Sequence, residues 1–181
     1  MTEKSHYLTW IDLEMTGLDP QTDCILEIAT LVTDHDLNVI ALGPEIAIHQ
    51  PEEILKNMND WCQQHHRASG LIDRVRKSNI TVTQAEQITL AFLKPYIQNG
   101  PPSPMCGNSV HQDRRFLYQY MPELAHFFHY RHLDVSALKV VNQYWNITPK
   151  FEKKNTHRAM DDIHESIAEL KYYHQYLLRS V

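Results

Sequence analysis

The 181-residue chain holds no uncharged apolar run near the roughly 18 residues a membrane-spanning helix requires, so nothing in it reads as such a span. Its start, "MTEKSHYLTW", lacks the apolar core and small-residue cleavage site of a secretory signal. Cysteine is sparse: Cys24, Cys62 and Cys106 are odd in number, scattered and free of any C-x-x-C pair. That excludes a disulfide framework and a cysteine zinc site, fits a reducing compartment, and gives a cytoplasmic location as the expectation. Also missing is a basic stripe, the net charge being -5 with Lys and Arg dispersed. A protein gripping long DNA or RNA draws most of its affinity from phosphate neutralisation. Any nucleic-acid substrate here is therefore expected to be short, or held by metals and a few placed donors. No repeat, low-complexity tract or linker divides the chain, so residues 1–181 read as one domain with ample apolar content, 43%, for a core.

What is present alternates in texture. Residues 6–14, 24–34 and 38–49 are rich in Leu, Ile and Val and read as strands, with "DHDLN" supplying hairpin chemistry between the second and third. Short connections predict an antiparallel meander. After Pro51 come short helical pieces, "PEEILKNMNDWCQQHHRAS" and "GLIDRVRKSN". Thr83 with Glu86 reads as a capping box, followed by a stripe of Ala85, Ile88, Phe92 and Tyr96 that stops at the breaker "QNGPPSP". "MCGNS" (105–109) reads as a short strand, and Ser109 with Gln112 as a second capping box opening a helix to about Met121. "YRHLDV" is a fifth strand, and Asp134 caps a helix over 135–145. A last helix runs from near His157 to Leu178, with Ala159, Ile163, Ile167, Leu170 and Leu177 along one side. The fold class is α/β: a mixed five-stranded sheet flanked by helices.

Acids stand where a core is expected. In "YLTWIDLEMTGLDP", Asp12 and Glu14 lie among Trp10, Ile11 and Leu13, and strand alternation puts both carboxylates on one face. Such a pair costs several kcal/mol in lost hydration and repulsion unless something cationic compensates. Asp113 precedes Phe116 and Leu117 on the same helix face, near an N-terminus whose dipole favours negative charge. By itself it reads equally as a helix-dipole acid. "THRAMDDIHESIAEL" adds Asp161 and Asp162, and periodicity does not choose between them. Four acids from separate segments are what two hard cations such as Mg²⁺ or Mn²⁺ need, and His157 beside them would be a natural general base.

Together these residues resemble the DEDDh exonucleases of the ribonuclease H-like superfamily. "DLEMTG" looks like their motif D-x-E-x-T-G, "GNSVHQDRRFL" like the second, and "HRAMDD" like H-x-A-x-x-D, whose spacing selects Asp162. Within that group the chain is most similar to the oligoribonuclease family, from Tyr7 to the C-terminal helix, through "WIDLEMTGLD", "NDWC", "RASGL" and "YRHLDVSALK". His111 departs from the small residue many members carry there. The resemblance implies a ribonuclease H-like fold and 3′→5′ hydrolysis of very short RNA to nucleoside 5′-monophosphates. It implies two divalent ions, Mg²⁺ or Mn²⁺, on Asp12, Glu14, Asp113 and Asp162, with His157 as base. It further implies that Leu18 and Trp61 sandwich the bases, and that Ser109, Arg131 and Ser136 cap the 5′ phosphate. Tyr130 would come from the partner of a homodimer. Otherwise Trp61 reads as a core anchor of a small helix, Ser109 and Ser136 as helix-opening residues, and Arg131 as a surface ion-pair former. Two rivals remain at this stage: a DEDDh exonuclease trimming or proofreading longer 3′ ends, and a catalytically silent binding module on the same fold.

Overall fold

In the computed structural model, which describes residues 7–97, 102–152 and 158–178, the apolar run around Trp10 becomes β1 (Leu8–Met15), the middle of five strands. β2 (Ile25–Thr33) pairs antiparallel with β1, and β3 (Val39–Ala47) antiparallel with β2, giving the expected meander. β2 is buried along its whole length, and it is correspondingly almost uninterrupted in apolar and threonine residues rather than alternating. On the other side of β1 lie two short parallel strands, β4 (Met105–Gly107) and β5 (His132–Asp134), completing the order β3-β2-β1-β4-β5. The hairpin between β2 and β3 closes through the Asp34 carboxylate, which accepts the Asn38 N–H at 2.8 Å, with Leu37 in the left-handed region at φ 63.

The helices are α1 (Glu52–Asn57), α2 (Asp60–Ala68), α3 (Leu71–Lys77), α4 (Val82–Ile97), α5 (Val110–Tyr120), α6 (Pro122–Phe127), α7 (Val135–Trp145) and α8 (Ala159–Tyr173). A π-helical turn, His174–Leu178, follows α8. Alternation along β1 sorts them into layers. Ile11 and Leu13 pack with Leu90 and Leu93 of α4, Phe116 and Leu117 of α5 and Leu124 of α6. Trp10 faces the opposite way, into Val135 of α7 and Ala159, Ile163 and Ile167 of α8. A third cluster, including Leu26, Leu55, Cys62, Leu71 and Val75, seats α1–α3 beside β2. So α5 and α8 reach β1 from opposite faces of the sheet. Among the described residues no helix is long and apolar enough to cross a membrane.

Three local expectations are corrected. The capping box of α4 is Thr81 with Gln84, not Thr83 with Glu86. Thr81 Oγ1 accepts the Gln84 N–H at 3.2 Å, and Gln84 Oε1 accepts the Thr81 N–H at 2.9 Å. "TVTQAE" contains two overlapping copies of the signature, and the earlier one is used. Glu86 is released to a buried position, where it accepts the Leu124 N–H at 3.0 Å and so caps α6 from outside. The helix consequently turns Ala85, Thr89, Leu90 and Leu93 inward and leaves Ile88 exposed. Ser109 likewise makes no side-chain cap: it sits at φ 55 in the left-handed region, and its polar groups go elsewhere. Asp134 does cap α7 as expected, accepting the Ser136 N–H at 3.0 Å.

Candidate active site

Asp12 and Glu14 emerge at the C-terminal end of β1, half-buried on the face that α8 covers. Burial of Ala159 and Ile163 fixes the rotation of α8, and that rotation carries Asp162, rather than Asp161, to β1. Asp12, Glu14 and Asp162 each bring a carboxylate oxygen within 4.8 Å of the other two. Asp113 arrives from the opposite layer on the first turn of α5, buried to 6% exposure. β4 pairs with β1 only at Thr9 and Trp10, so the Leu13 N–H lies past the end of that ladder. Asp113 Oδ1 accepts it at 3.0 Å. His157 lies outside the described residues.

Burial pushes Glu14 up to about 8, and the negative charges of Asp162, Glu27 and Asp113 add to the effect. Burial also pushes Asp113 up to about 7, against the hydrogen bond from Leu13, with Asp134 contributing. All donors are carboxylate oxygens, the set that hard divalent cations prefer. A cation here would restore the ionised form that the buried carboxylates otherwise resist.

Two side chains around the acids are absent from the sequence reading. His66 of α2, 2% exposed, has Nε2 2.8 Å from the Met15 carbonyl and Nδ1 3.8 Å from Glu14 Oε2. Its helical spacing from buried Cys62 is the signal that marks it as inward-facing. Glu27 stands directly across from Glu14 in the β1–β2 register, its side chain fully buried. The Arg74 fork grips it, one nitrogen on each carboxylate oxygen, and it also faces the Ala159 N–H at 3.5 Å, where α8 has no side-chain cap of its own. The signal was the same as for Asp12, a lone acid in an apolar strand.

Beside the acids opens a cavity of about 420 Å³ lined by Leu13, Glu14, Met15, Leu18, Trp61 and His66, among others. Leu18 is 72% and Trp61 56% exposed, so neither is a core anchor. The Trp61 indole is stacked on His65, ring centroids 4.0 Å apart. The Leu18 loop is held closely: the Leu18 carbonyl accepts from Gln112 Nε2 and, at 3.4 Å, from Arg115. A Cβ on Gly17 would run into the Asp23 carboxylate, which already binds the Thr16 hydroxyl and the Asp19 N–H, each at 3.0 Å.

A second polar group forms where β4 and β5 end. The Ser109 N–H meets Asp134 Oδ1 and Ser136 Oγ, both at 2.9 Å, and the two serine hydroxyls are 3.1 Å apart. Arg131 and Tyr130 lie exposed just before β5, with the guanidinium 5.4 Å above the ring of Tyr130 in the same chain. The structure thus brings Asp12, Glu14 and Asp162 together, with the charge of Asp113 felt at Glu14, seats Leu18 and Trp61 on the cavity that Glu14 also lines, and pairs Ser109 with Ser136 in a separate group.

The RNase_T exonuclease family matches residues 9–170. The chain is 57% identical over 177 residues to an oligoribonuclease of Haemophilus ducreyi, covering 97% of this chain and 96% of that protein. It is 59% identical over 175 residues to an oligoribonuclease of Shewanella putrefaciens, covering 96% of each. Among solved structures it is similar to exonuclease I from Methylocaldum szegediense, with a TM-score of 0.71 and 14% identity over 96% of this chain and 41% of that one. A zinc-bound Escherichia coli exonuclease I–ssDNA complex gives a TM-score of 0.67 and 18% identity, over 97% and 42%. The chain therefore spans about two fifths of those exonuclease I structures. At that identity the likeness concerns the fold, which is ribonuclease H-like.

Proposed function

The chain belongs to the RNase_T exonuclease family and, within it, to the oligoribonucleases, 3′→5′ exoribonucleases of short RNA; from that premise we propose how its residues divide the work. Asp12, Glu14, Asp113 and Asp162 would hold two divalent cations, Mg²⁺ or Mn²⁺. When bound, the ions would supply positive charge against the developing charge of phosphodiester cleavage and would make the attacking water more acidic. His157, from the H-x-A-x-x-D spacing, takes the proton of the attacking water. Leu18 and Trp61 sandwich the terminal bases and place the scissile linkage over the acids. Ser109, Arg131 and Ser136 receive the 5′ phosphate, a role suited to hydroxyl and guanidinium donors. The substrates are diribonucleotides and other very short oligomers, released as nucleoside 5′-monophosphates.

The carrying observation is that Glu14, a member of the three-acid cluster, lines the same cavity as Leu18 and Trp61. Chemistry and base binding therefore adjoin. We further propose a single exonuclease domain over 1–181 in the cytoplasm, and a homodimer that lends Tyr130 to its partner. Tyr130 is 72% exposed, and Val140, Tyr144 and Trp145 of α7 are 49%, 76% and 69% exposed, apolar side chains of the kind such an interface would cover. The deciding experiment is Mg²⁺- or Mn²⁺-dependent digestion of 5′-phosphorylated RNAs from two to about seven nucleotides. Fastest cleavage at two nucleotides supports the reading, whereas preference for the longest strands replaces it with a trimming exonuclease.

A further inference from the structure

The polar groups at the two ends of the site are joined by side chains that belong to neither. Ser136 Oγ donates to Asn108 Oδ1 at 3.0 Å. The Asn108 amide nitrogen donates to Ser166 Oγ at 2.8 Å and to Glu169 Oε2 at 3.2 Å. Ser166 Oγ in turn donates to the Asp162 carbonyl at 2.8 Å. Ser166 and Glu169 are 4% and 1% exposed, so this route runs through the interior between β4, α7 and α8 rather than over the surface.

Counting hydrogens gives the chain a direction. Ser136 has one hydroxyl hydrogen, and Asn108 takes it. The Ser109 hydroxyl must then be the donor in its 3.1 Å contact with Ser136. The hydroxyls of Ser109, Ser136 and Ser166 and one amide hydrogen of Asn108 thus run in series toward the Asp162 carbonyl, the other amide hydrogen going to Glu169, an arrangement in which each bond polarises the next. Both hydroxyl donors of the Ser109–Ser136 pair are spent inside the protein. A phosphate dianion only accepts, so the serine hydroxyls help Arg131 hold it only if one of them turns outward. If Ser136 turns, Asn108 Oδ1 loses its donor; if Ser109 turns, Ser136 loses an accepting contact. Either way the change is felt at Asn108, whose nitrogen is tied to the helix turn that carries Asp162.

We propose that Asn108, acting through Ser166, is a positioning residue that couples a 5′ phosphate at Ser109 and Ser136 to the placement of the Asp162 turn. The inference rests on the proposed phosphate and metal roles of those residues and adds to them a link between substrate end and chemistry. The enzyme would then recognise a short substrate by its rate and not only by its affinity. A 5′ phosphate one linkage away from the acids sets the Asp162 turn; a strand without one leaves it unset.

Ser166→Ala tests this with little structural cost, since alanine is a good helix former and the hydroxyl removed bonds its own helix backbone. The substrates are a diribonucleotide with and without a 5′ phosphate, cleaved by the full chain in saturating Mg²⁺ under single-turnover conditions. Wild type is expected to cleave the phosphorylated form faster. In Ser166→Ala the ratio of the two rates should fall roughly five- to tenfold, while the Kd of the phosphorylated form moves less than about twofold. Asn108→Ala should lower the ratio similarly, and the double variant no further than the worse single, because the groups act in series. Equal losses on both substrates, or additive losses in the double variant, would reduce Asn108 and Ser166 to packing and overturn the proposal. If Asn108→Ala does not fold, Ser166→Ala decides alone. A wild type with equal rates on both forms but tighter binding of the phosphorylated one would overturn the coupling alone, whereas equal rates and equal Kd would remove the phosphate subsite as well.

Discussion

Asp113 does two things with one carboxylate: it ends the open edge of β1 at the Leu13 N–H, and it adds charge to the acid cluster. The two can be separated. Asp113→Asn retains an oxygen for the Leu13 N–H but not the charge, so the circular dichroism should be unchanged while turnover falls by at least about a hundredfold. Near-normal rates would remove Asp113 from the ligand set. Trp61 offers a converse case. Because it is 56% exposed, Trp61→Ala opens no core cavity and should leave stability intact. Loss of base stacking, worth about 1–3 kcal/mol, should raise KM by roughly tenfold or more with a smaller change in kcat. An unaltered KM would return Trp61 to the surface. At this scale the acids were legible because Asp12 and Glu14 violate the apolar pattern around them. His66, Asn108 and Ser166 were not, since polar residues in helices and loops are ordinary until their distant partners are known. Asp162 could not be separated from Asp161 by period alone, because the phase depends on a helix start at Ala159 that no local signal in "NTHRAM" marks.

Elements were read correctly where apolar runs and breakers agreed. The β1–β3 meander follows from three apolar segments with short connections, and all five strands and the helix opened by Asp134 stand where the pattern put them. The failures were in phase. Two threonines two apart each satisfy the capping signature before α4, and what separates them is tertiary: Glu86 is wanted at the start of α6. Thr81→Ala should therefore cost about 1 kcal/mol in urea unfolding, and Thr83→Ala only a few tenths. The reverse order would show that α4 starts two residues later. Ser109 was misread for a related reason. A serine three residues before glutamine looks like a cap, but its left-handed backbone turns the hydroxyl toward α7, into the group proposed to meet the substrate.

For the whole molecule, the negative charge gathered at the sheet's end should bear on stability. Buried acids whose protons are held up to about 7 and 8 repel one another, and a divalent cation that binds only the folded chain relieves this. Saturating Mg²⁺ or Mn²⁺ should raise Tm by roughly 5–10 °C, a chelator should reverse it, and Asp12→Asn should lose most of the rise. A Tm that ignores the cation would count against the metal centre. Sedimentation tests the proposed dimer: wild type should run at twice the chain mass, and Tyr130→Ala together with Trp145→Ala should shift it toward monomer. The placement of the acids has one more consequence. Asp12 and Glu14 are on β1, whereas Asp162 is on α8, which packs directly on β1. A truncated chain that stops before α8 would keep β1 but lack Asp162, so under the proposed roles it should leave RNA uncut, which a digestion assay checks.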